Sequence, residues 1–132
     1  MDKAWRDGVL ACAKTSLQLL ASSADLQIRY YPSFVLVPDE LALDFDHWQS
    51  VFLSNFATEL TAEQARAFTA INDRLHALSR GGSDFNGQLW TEDGLRNSAE
   101  WASIRRMASQ VLNLMGWPVE KPDLNLGVYV KG

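Results

Sequence analysis

Residues 37–56 read VPDELALDFDHWQSVFLSNF, and the pattern in this segment predicts how the rest of the chain packs. Large apolar side chains recur in it at steps of four, three and four residues: Leu41, Phe45, Trp48 and Phe52. Such steps follow one face of an α-helix, which turns once in about 3.6 residues. The segment therefore predicts an amphipathic helix that buries this stripe, Trp48 included, in a hydrophobic core.

The beginning of the same helix is marked by Pro38, Asp39 and Glu40. Proline is favoured in the first helical turn, and acidic side chains there interact favourably with the positive end of the helix dipole. Further along, Glu40, Asp44 and His47 share a second face, separate from the apolar stripe. The helix is thus predicted to have one side for the core and a polar side for solvent or a partner.

The charge around this helix is one-sided. No Lys or Arg occurs between Arg29 and Arg66. The same interval contains the following acidic residues: Asp39, Glu40, Asp44, Asp46, Glu59 and Glu63. Because a surface of one charge sign steers and selects partners of the opposite sign, the interval predicts affinity for a basic partner.

Further helices are predicted over residues 2–22, 61–79 and 98–115. The first carries Trp5 on its apolar stripe, and the last carries Trp101. The middle helix begins with Thr61 and Gln64, which match a capping box, and Gly81 follows its end, as expected for a residue in the left-handed conformation.

Two segments fit more than one structure. Residues 24–37 are compatible with helix, strand or coil, and we interpret 33–37 as an apolar segment that crosses the core. Residues 124–130 alternate like a strand that lacks an obvious partner. We therefore predict a mainly α fold, a single-domain bundle of about four helices over residues 1–132, with short extended segments near 33–37 and 124–130. The alternative is an α+β fold in which these two segments form a small sheet.

The composition argues against several function classes. A net charge of −4 without a basic stripe opposes a nucleic-acid partner. The single cysteine, Cys12, allows neither an internal disulfide nor a cysteine-type zinc site. No signal-peptide pattern and no apolar run long enough to cross a bilayer is present, so we expect a cytoplasmic protein without membrane contact. Neither a phosphate loop nor a nucleophile elbow occurs, and no cofactor is predicted.

A non-catalytic protein-binding module is the function that these patterns favour. Its predicted partner-binding residues are the acidic side chains of the helix, the histidine beside them and a tryptophan in a later connection: Asp39, Glu40, Asp44, Asp46, His47 and Trp90. In being small, acidic and tryptophan-bearing, the chain resembles the immunity proteins with which bacteria neutralise toxins. This resemblance implies a basic toxin or effector as the partner, and it assigns a role to no single residue.

Two alternatives stay open. Glu40, Asp44 and His47 have the spacing of a metal-binding or small-molecule-binding site, or of an acid–base pair in an enzyme. A metal site in a helical bundle normally takes ligands from several helices, so no metal ligand is assigned here. The other alternative is a homo-oligomer that forms through the C-terminal segment.

Overall fold

A computed structural model describes residues 2–122 as six α-helices joined by short connections. The helices are α1 (Lys3–Ala21), α2 (Ala24–Tyr30), α3 (Val37–Asn55), α4 (Ala62–Leu78), α5 (Glu92–Asn97) and α6 (Ala99–Met115), and short 3₁₀ turns span Ala57–Glu59 and Gly87–Trp90. No strand occurs within residues 2–122, so the mainly α prediction is confirmed and the small sheet is not supported. The predicted strand at 124–130, and subunit contacts through it, lie outside the described residues.

The ends of the long helices are formed by the residues that the sequence patterns indicate. Thr61 Oγ1 accepts a hydrogen bond from the Gln64 amide at 3.0 Å, and Gln64 Oε1 accepts one from the Thr61 amide at 3.0 Å, which confirms the capping box. Gly81 has a φ of +88° just after α4, and Gly116 has a φ of +74° at the end of α6. Both glycines adopt a conformation that other residues rarely tolerate. Gly116 is the C-cap residue of α6 and lets the chain leave that helix, whereas α4 already ends at the extended Ser79, two residues before Gly81.

Helix α2 resolves the ambiguity of residues 24–30. Ser23 caps it by accepting a hydrogen bond from the Leu26 amide at 3.2 Å. Gln27 is completely buried, and its Nε2 donates to the carbonyl oxygens of Leu19 and Leu20 at 3.0 and 3.1 Å. The Leu19 carbonyl oxygen also accepts from the Ser22 amide at 3.0 Å, so Gln27 adds a second hydrogen bond there and joins α2 to the last turn of α1.

The extended segment predicted near residues 33–37 is a turn. The Val35 amide donates to the Pro32 carbonyl oxygen at 3.2 Å, which reverses the chain between α2 and α3. Helix α3 already begins at Val37, one residue before the proline that marks its first turn. The segment does not cross the core with its whole length, because Phe34 and Leu36 are exposed while Val35 packs against the core.

The core lies between α1, α3, α4 and α6. Helix α1 packs most extensively against α3 and α6, and α4 packs against α6 and α3. Phe52 joins these layers, because its ring centroid lies 5.4 Å from that of Phe68 and 5.8 Å from that of Trp117. Trp101 is completely buried, as predicted, and its Nε1 donates to the Leu89 carbonyl oxygen at 2.7 Å. Within residues 2–122, no helix has the length and apolar character needed to cross a bilayer.

Two tryptophans predicted on buried stripes lie elsewhere. Trp5 is 46% exposed, because no residue of 2–8 is buried and the first turns of α1 contribute nothing to the core. Trp48 is only partly buried, and Gln49 occupies the core face of α3 in its place, 7% exposed. Positions 48 and 49 lie on either side of the line through Leu41 and Phe45, so helical spacing alone does not distinguish them.

Candidate functional site

Helix α3 has an outward face that the core does not cover. We define it by Leu36, Asp39, Glu40, Leu43, Asp46 and His47. Leu36 and Leu43 are two helical turns apart on this face and are 68% and 62% exposed. Single exposed leucines are ordinary on protein surfaces. These two lie on the same helix face, with acids between and beside them, so they form one apolar surface with charged surroundings.

The first turn of α3 explains why acids lie beside these leucines. Leu36 occupies the N-cap position and gives no side-chain hydrogen bond to the first turn. Asp39 and Glu40 lie in that turn, where carboxylates are stabilised by about 0.3–1 kcal/mol through the helix dipole. Among residues 2–122, neither carboxylate forms a salt bridge or a side-chain hydrogen bond. Both partly exposed carboxylates are therefore available to a partner.

Asp44, a predicted site residue, is directed away from this face. The buried Tyr31 hydroxyl donates a hydrogen bond to Asp44 Oδ2 at 2.7 Å. Burial raises the pKa of Tyr31 well above its usual value, and the nearby Asp44 carboxylate raises that pKa further, because ionised tyrosine would meet a like charge there. Asp44 thus connects α3 to the end of α2, and this contact gives it a structural role.

Asp46 and His47 have neighbours within the protein as well. Asp46 Oδ1 lies 3.5 Å from His76 Nε2 of α4, and both side chains are largely solvated. The His47 and Trp48 rings meet edge to face, with centroids 4.6 Å apart. Of the predicted acids, Asp39 and Glu40 are consequently the ones that make no ion pair or side-chain hydrogen bond within residues 2–122.

The spacing of Glu40, Asp44 and His47 does not produce a metal-holding arrangement. Within the described part of the chain, no group of three or more His, Cys, Asp or Glu side chains is placed to hold a metal ion. One of the three, Asp44, accepts the Tyr31 hydrogen bond, whereas His47 is exposed and packs on Trp48. The geometry therefore gives the metal-binding alternative no support.

A cleft of about 320 Å³ opens beside the outward face of α3. Its walls come from α3, from the end of α4 and from the connection that follows: Asp39, Ala42, Leu43, Ser79, Arg80, Phe85, Gly87 and Trp90. The cleft exists because the connection folds back over the helices. Trp90 is half-buried, with its Nε1 donating to the Leu78 carbonyl oxygen at 2.9 Å and its ring 5.6 Å from that of Trp101.

The position of Trp90 in a connection suggests an exposed side chain, but the structure shows it half-buried. The hydrogen bond to Leu78 and the edge contact with Trp101 anchor it, and part of the ring remains as a wall of the cleft. The backbone of α5 at Gly94 also lies close to the 3₁₀ turn that contains Gln88. A Cβ added to Gly94 would lie 2.1 Å from the Gln88 carbonyl oxygen, so the close contact requires glycine.

Several exposed residues in this region were not predicted from the sequence. Phe34 is 79% exposed and Phe85 39% exposed, and Arg80 places its guanidinium 5.1 Å from the centre of the Phe85 ring. A signal for Leu36 and Leu43 does exist, since they are seven residues apart and opposite the buried stripe of α3. No comparable pattern indicates Arg80 or Phe85, which reach the site only through the folding of the connection.

Comparison of the chain with protein-family models, with curated proteins and with solved structures finds no match. The case for a functional site therefore rests on the geometry of the outward face of α3 and of the cleft beside it.

Proposed function

We propose that this chain is a non-catalytic protein-binding module, and that the outward face of α3 binds a basic protein partner. The observation that carries the proposal is the combination of Asp39 and Glu40, two carboxylates without an ion pair in residues 2–122, with the exposed side chains of Leu36 and Leu43. Interfaces commonly combine an apolar centre with charged groups at its rim. The face has both components.

The charge distribution supports a basic partner. No Lys or Arg lies between Arg29 and Arg66, so the acids of α3 have no cation near them in sequence. Rim carboxylates of this kind accelerate association with a basic protein and disfavour acidic ones. The apolar side chains contribute affinity once the two surfaces meet, because their area is removed from water.

A toxin or effector of basic character is the finer form of the proposal. It derives from the resemblance of this small, acidic, tryptophan-bearing chain to bacterial immunity proteins. If it holds, the captured partner should impair growth of a bacterial host when expressed alone, and co-expression of this chain should restore growth. A basic partner that has no effect on growth would contradict the immunity role and leave the binding function intact.

The test of the binding function is affinity capture with charge-reversed bait. Asp39→Lys with Glu40→Lys should lose the basic partner that the unchanged protein retains, since four units of charge change at the binding face. These positions are better suited than Asp44, whose carboxylate accepts the Tyr31 hydrogen bond and whose loss would disturb the fold.

A matched control is available on α5. Glu92 and Asp93 are also adjacent acids in the first turn of a helix, and both are exposed. Asp93 Oδ1 accepts a hydrogen bond from Asn97 Nδ2 at 2.9 Å, so this control also removes one contact within α5. Glu92→Lys with Asp93→Lys alters the total charge equally and should retain the partner. The partner should then bind when both proteins are purified, with an affinity that decreases as salt increases. Equal loss of the partner from both double variants, or retention by both, would contradict the proposal.

A further inference from the structure

The cleft beside α3 is large enough to receive a side chain of a partner. Its volume of about 320 Å³ is at the lower end of the range for ligand sites, roughly 300–1,000 Å³. Leu43, Phe85 and Trp90 are the large apolar side chains that line it. Leu43 and Phe85 are 62% and 39% exposed, so both have apolar area that an inserted group would remove from water.

The two charged residues of the cleft have opposite signs and lie on different elements. Asp39 belongs to α3, whereas Arg80 follows the end of α4 and lies over the Phe85 ring. Within residues 2–122, neither forms an ion pair. A cationic group in the cleft is attracted toward Asp39 and repelled from Arg80. A ligand that carries such a group therefore has one favoured orientation.

We propose that this cleft is the anchor pocket of the interface and receives one aromatic or aliphatic side chain of the basic partner, with a neighbouring cation of that partner beside Asp39. The inference rests on the proposed protein-binding function. Binding energy in interfaces concentrates in a few side chains that fill pockets near the centre of the contact, surrounded by weaker polar contacts. The cleft adjoins the outward face of α3 through Leu43, which belongs to both, and the occupant follows from the charge of that face.

The experiment uses small probes in place of the partner. The 2-phenylethylammonium ion joins an aromatic ring to a cation, and 3-phenylpropionate joins the same ring to an anion. Each is titrated into ¹⁵N-labelled full-length protein at low salt, and the amide signals are followed by NMR. The cation should shift signals of Leu43, Phe85 and Gly87, with a dissociation constant that is roughly millimolar for a ligand of this size. The anion should bind more weakly.

Variants then assign the contacts. Asp39→Asn should weaken binding of the cation ~2- to 5-fold, as for an exposed ion pair. Leu43→Ser should weaken it ~5-fold or more by removing an apolar wall. Arg80→Gln should leave cation binding unchanged or strengthen it. Val119→Ser, which alters an exposed apolar residue elsewhere, should have no effect.

Three results would overturn the anchor pocket: shifts scattered over the surface, tighter binding of the anion than of the cation, or unchanged binding to Leu43→Ser. Failure of the anchor pocket is distinguishable from failure of the proposed binding function. If the partner of the capture experiment binds through Asp39 and Glu40 while the cleft ignores both probes, the binding function stands and the anchor pocket is wrong. If the cation binds in the cleft but no basic partner depends on α3, the cleft is a site for aromatic cations, and the protein-binding function is wrong together with the anchor role of the cleft.

Discussion

The inward and outward faces of α3 are made from similar residue types, but only one of them is covered by the fold. Leu41, Phe45 and Phe52 face inward and are at most 2% exposed, whereas Leu36 and Leu43 face outward and are more than half exposed. The inward set is explained by the core between α1, α3 and α4. Nothing in residues 2–122 covers the outward set, so its apolar character has no comparable role in stability.

The acids of α3 divide in the same way. Asp44 accepts a hydrogen bond from the buried Tyr31, and Asp46 lies near His76 of α4. Asp39 and Glu40 form no ion pair and no side-chain hydrogen bond within the described residues, and the charge of Glu40 adds to the rise in the pKa of Tyr31. The difference separates the acids of α3 that have contacts within the fold from those that we propose for recognition, a distinction that the charge of the segment alone does not make.

The largest expected effect is the difference in stability between two leucine-to-alanine variants of α3, one at Leu41 and one at Leu43. Leu41→Ala should lower the free energy of unfolding by about 2–5 kcal/mol, since it leaves a cavity in the core. Leu43→Ala should alter it by no more than about 0.5 kcal/mol, because the side chain is 62% exposed. Urea denaturation of the two variants measures both. Similar losses would mean that the outward leucine is structural and would remove the contrast between the faces.

A smaller effect is expected at Tyr31, which is buried and donates a hydrogen bond to Asp44. The pKa of Tyr31 is raised in the folded protein, whereas unfolded tyrosine loses its proton near pH 10. Tyr31 therefore contributes stability that is complete below pH 10 and is lost as pH rises further, by up to about 1.4 kcal/mol per pH unit. Tyr31→Phe should lower the stability by about 1 kcal/mol at pH 8 and should lack this added loss in alkali.

Urea denaturation at pH 8 and pH 11 tests this expectation. Asp39→Asn serves as the matched control, because it removes a carboxylate of α3 without touching Tyr31, and it should lose stability between these pH values as the unchanged protein does. If Tyr31→Phe shows the same loss as the unchanged protein, burial and the Asp44 carboxylate do not hold the Tyr31 hydroxyl in its protonated form.

The parts of the fold that follow from local chemistry were predictable from the sequence. Helix α4 begins at a capping box and is followed by a glycine in the left-handed conformation, and both signals lie within a few residues of the helix ends. Helix α2 was not assigned, because its apolar residues fit a strand as well. What stabilises it is Gln27, a polar residue that is buried against the end of α1. That contact depends on tertiary structure and has no signature in periodicity.

The candidate site was predictable to a similar degree. Asp39 and Glu40 follow from the charge of the segment, and Leu36 and Leu43 could have been found from their helical spacing opposite the core stripe. The contact of Asp44 with Tyr31 joins residues 13 positions apart across a turn, so the sequence does not reveal it. The cleft is still less visible, because Arg80, Phe85 and Trp90 meet α3 only after the connection from α4 folds back.

The most direct measurement of the central claim is the footprint of the basic partner on this chain. Amide signals of the ¹⁵N-labelled protein are compared with and without the unlabelled partner from the capture experiment. Binding at the outward face of α3 predicts that the affected signals concentrate in residues 36–47 and 79–90. Signals of the groove between α4 and α6, which is lined by Arg66, Met107 and Gln110 among others, should stay unchanged. A footprint confined to the α4–α6 groove, with residues 36–47 unaffected, would contradict the claim.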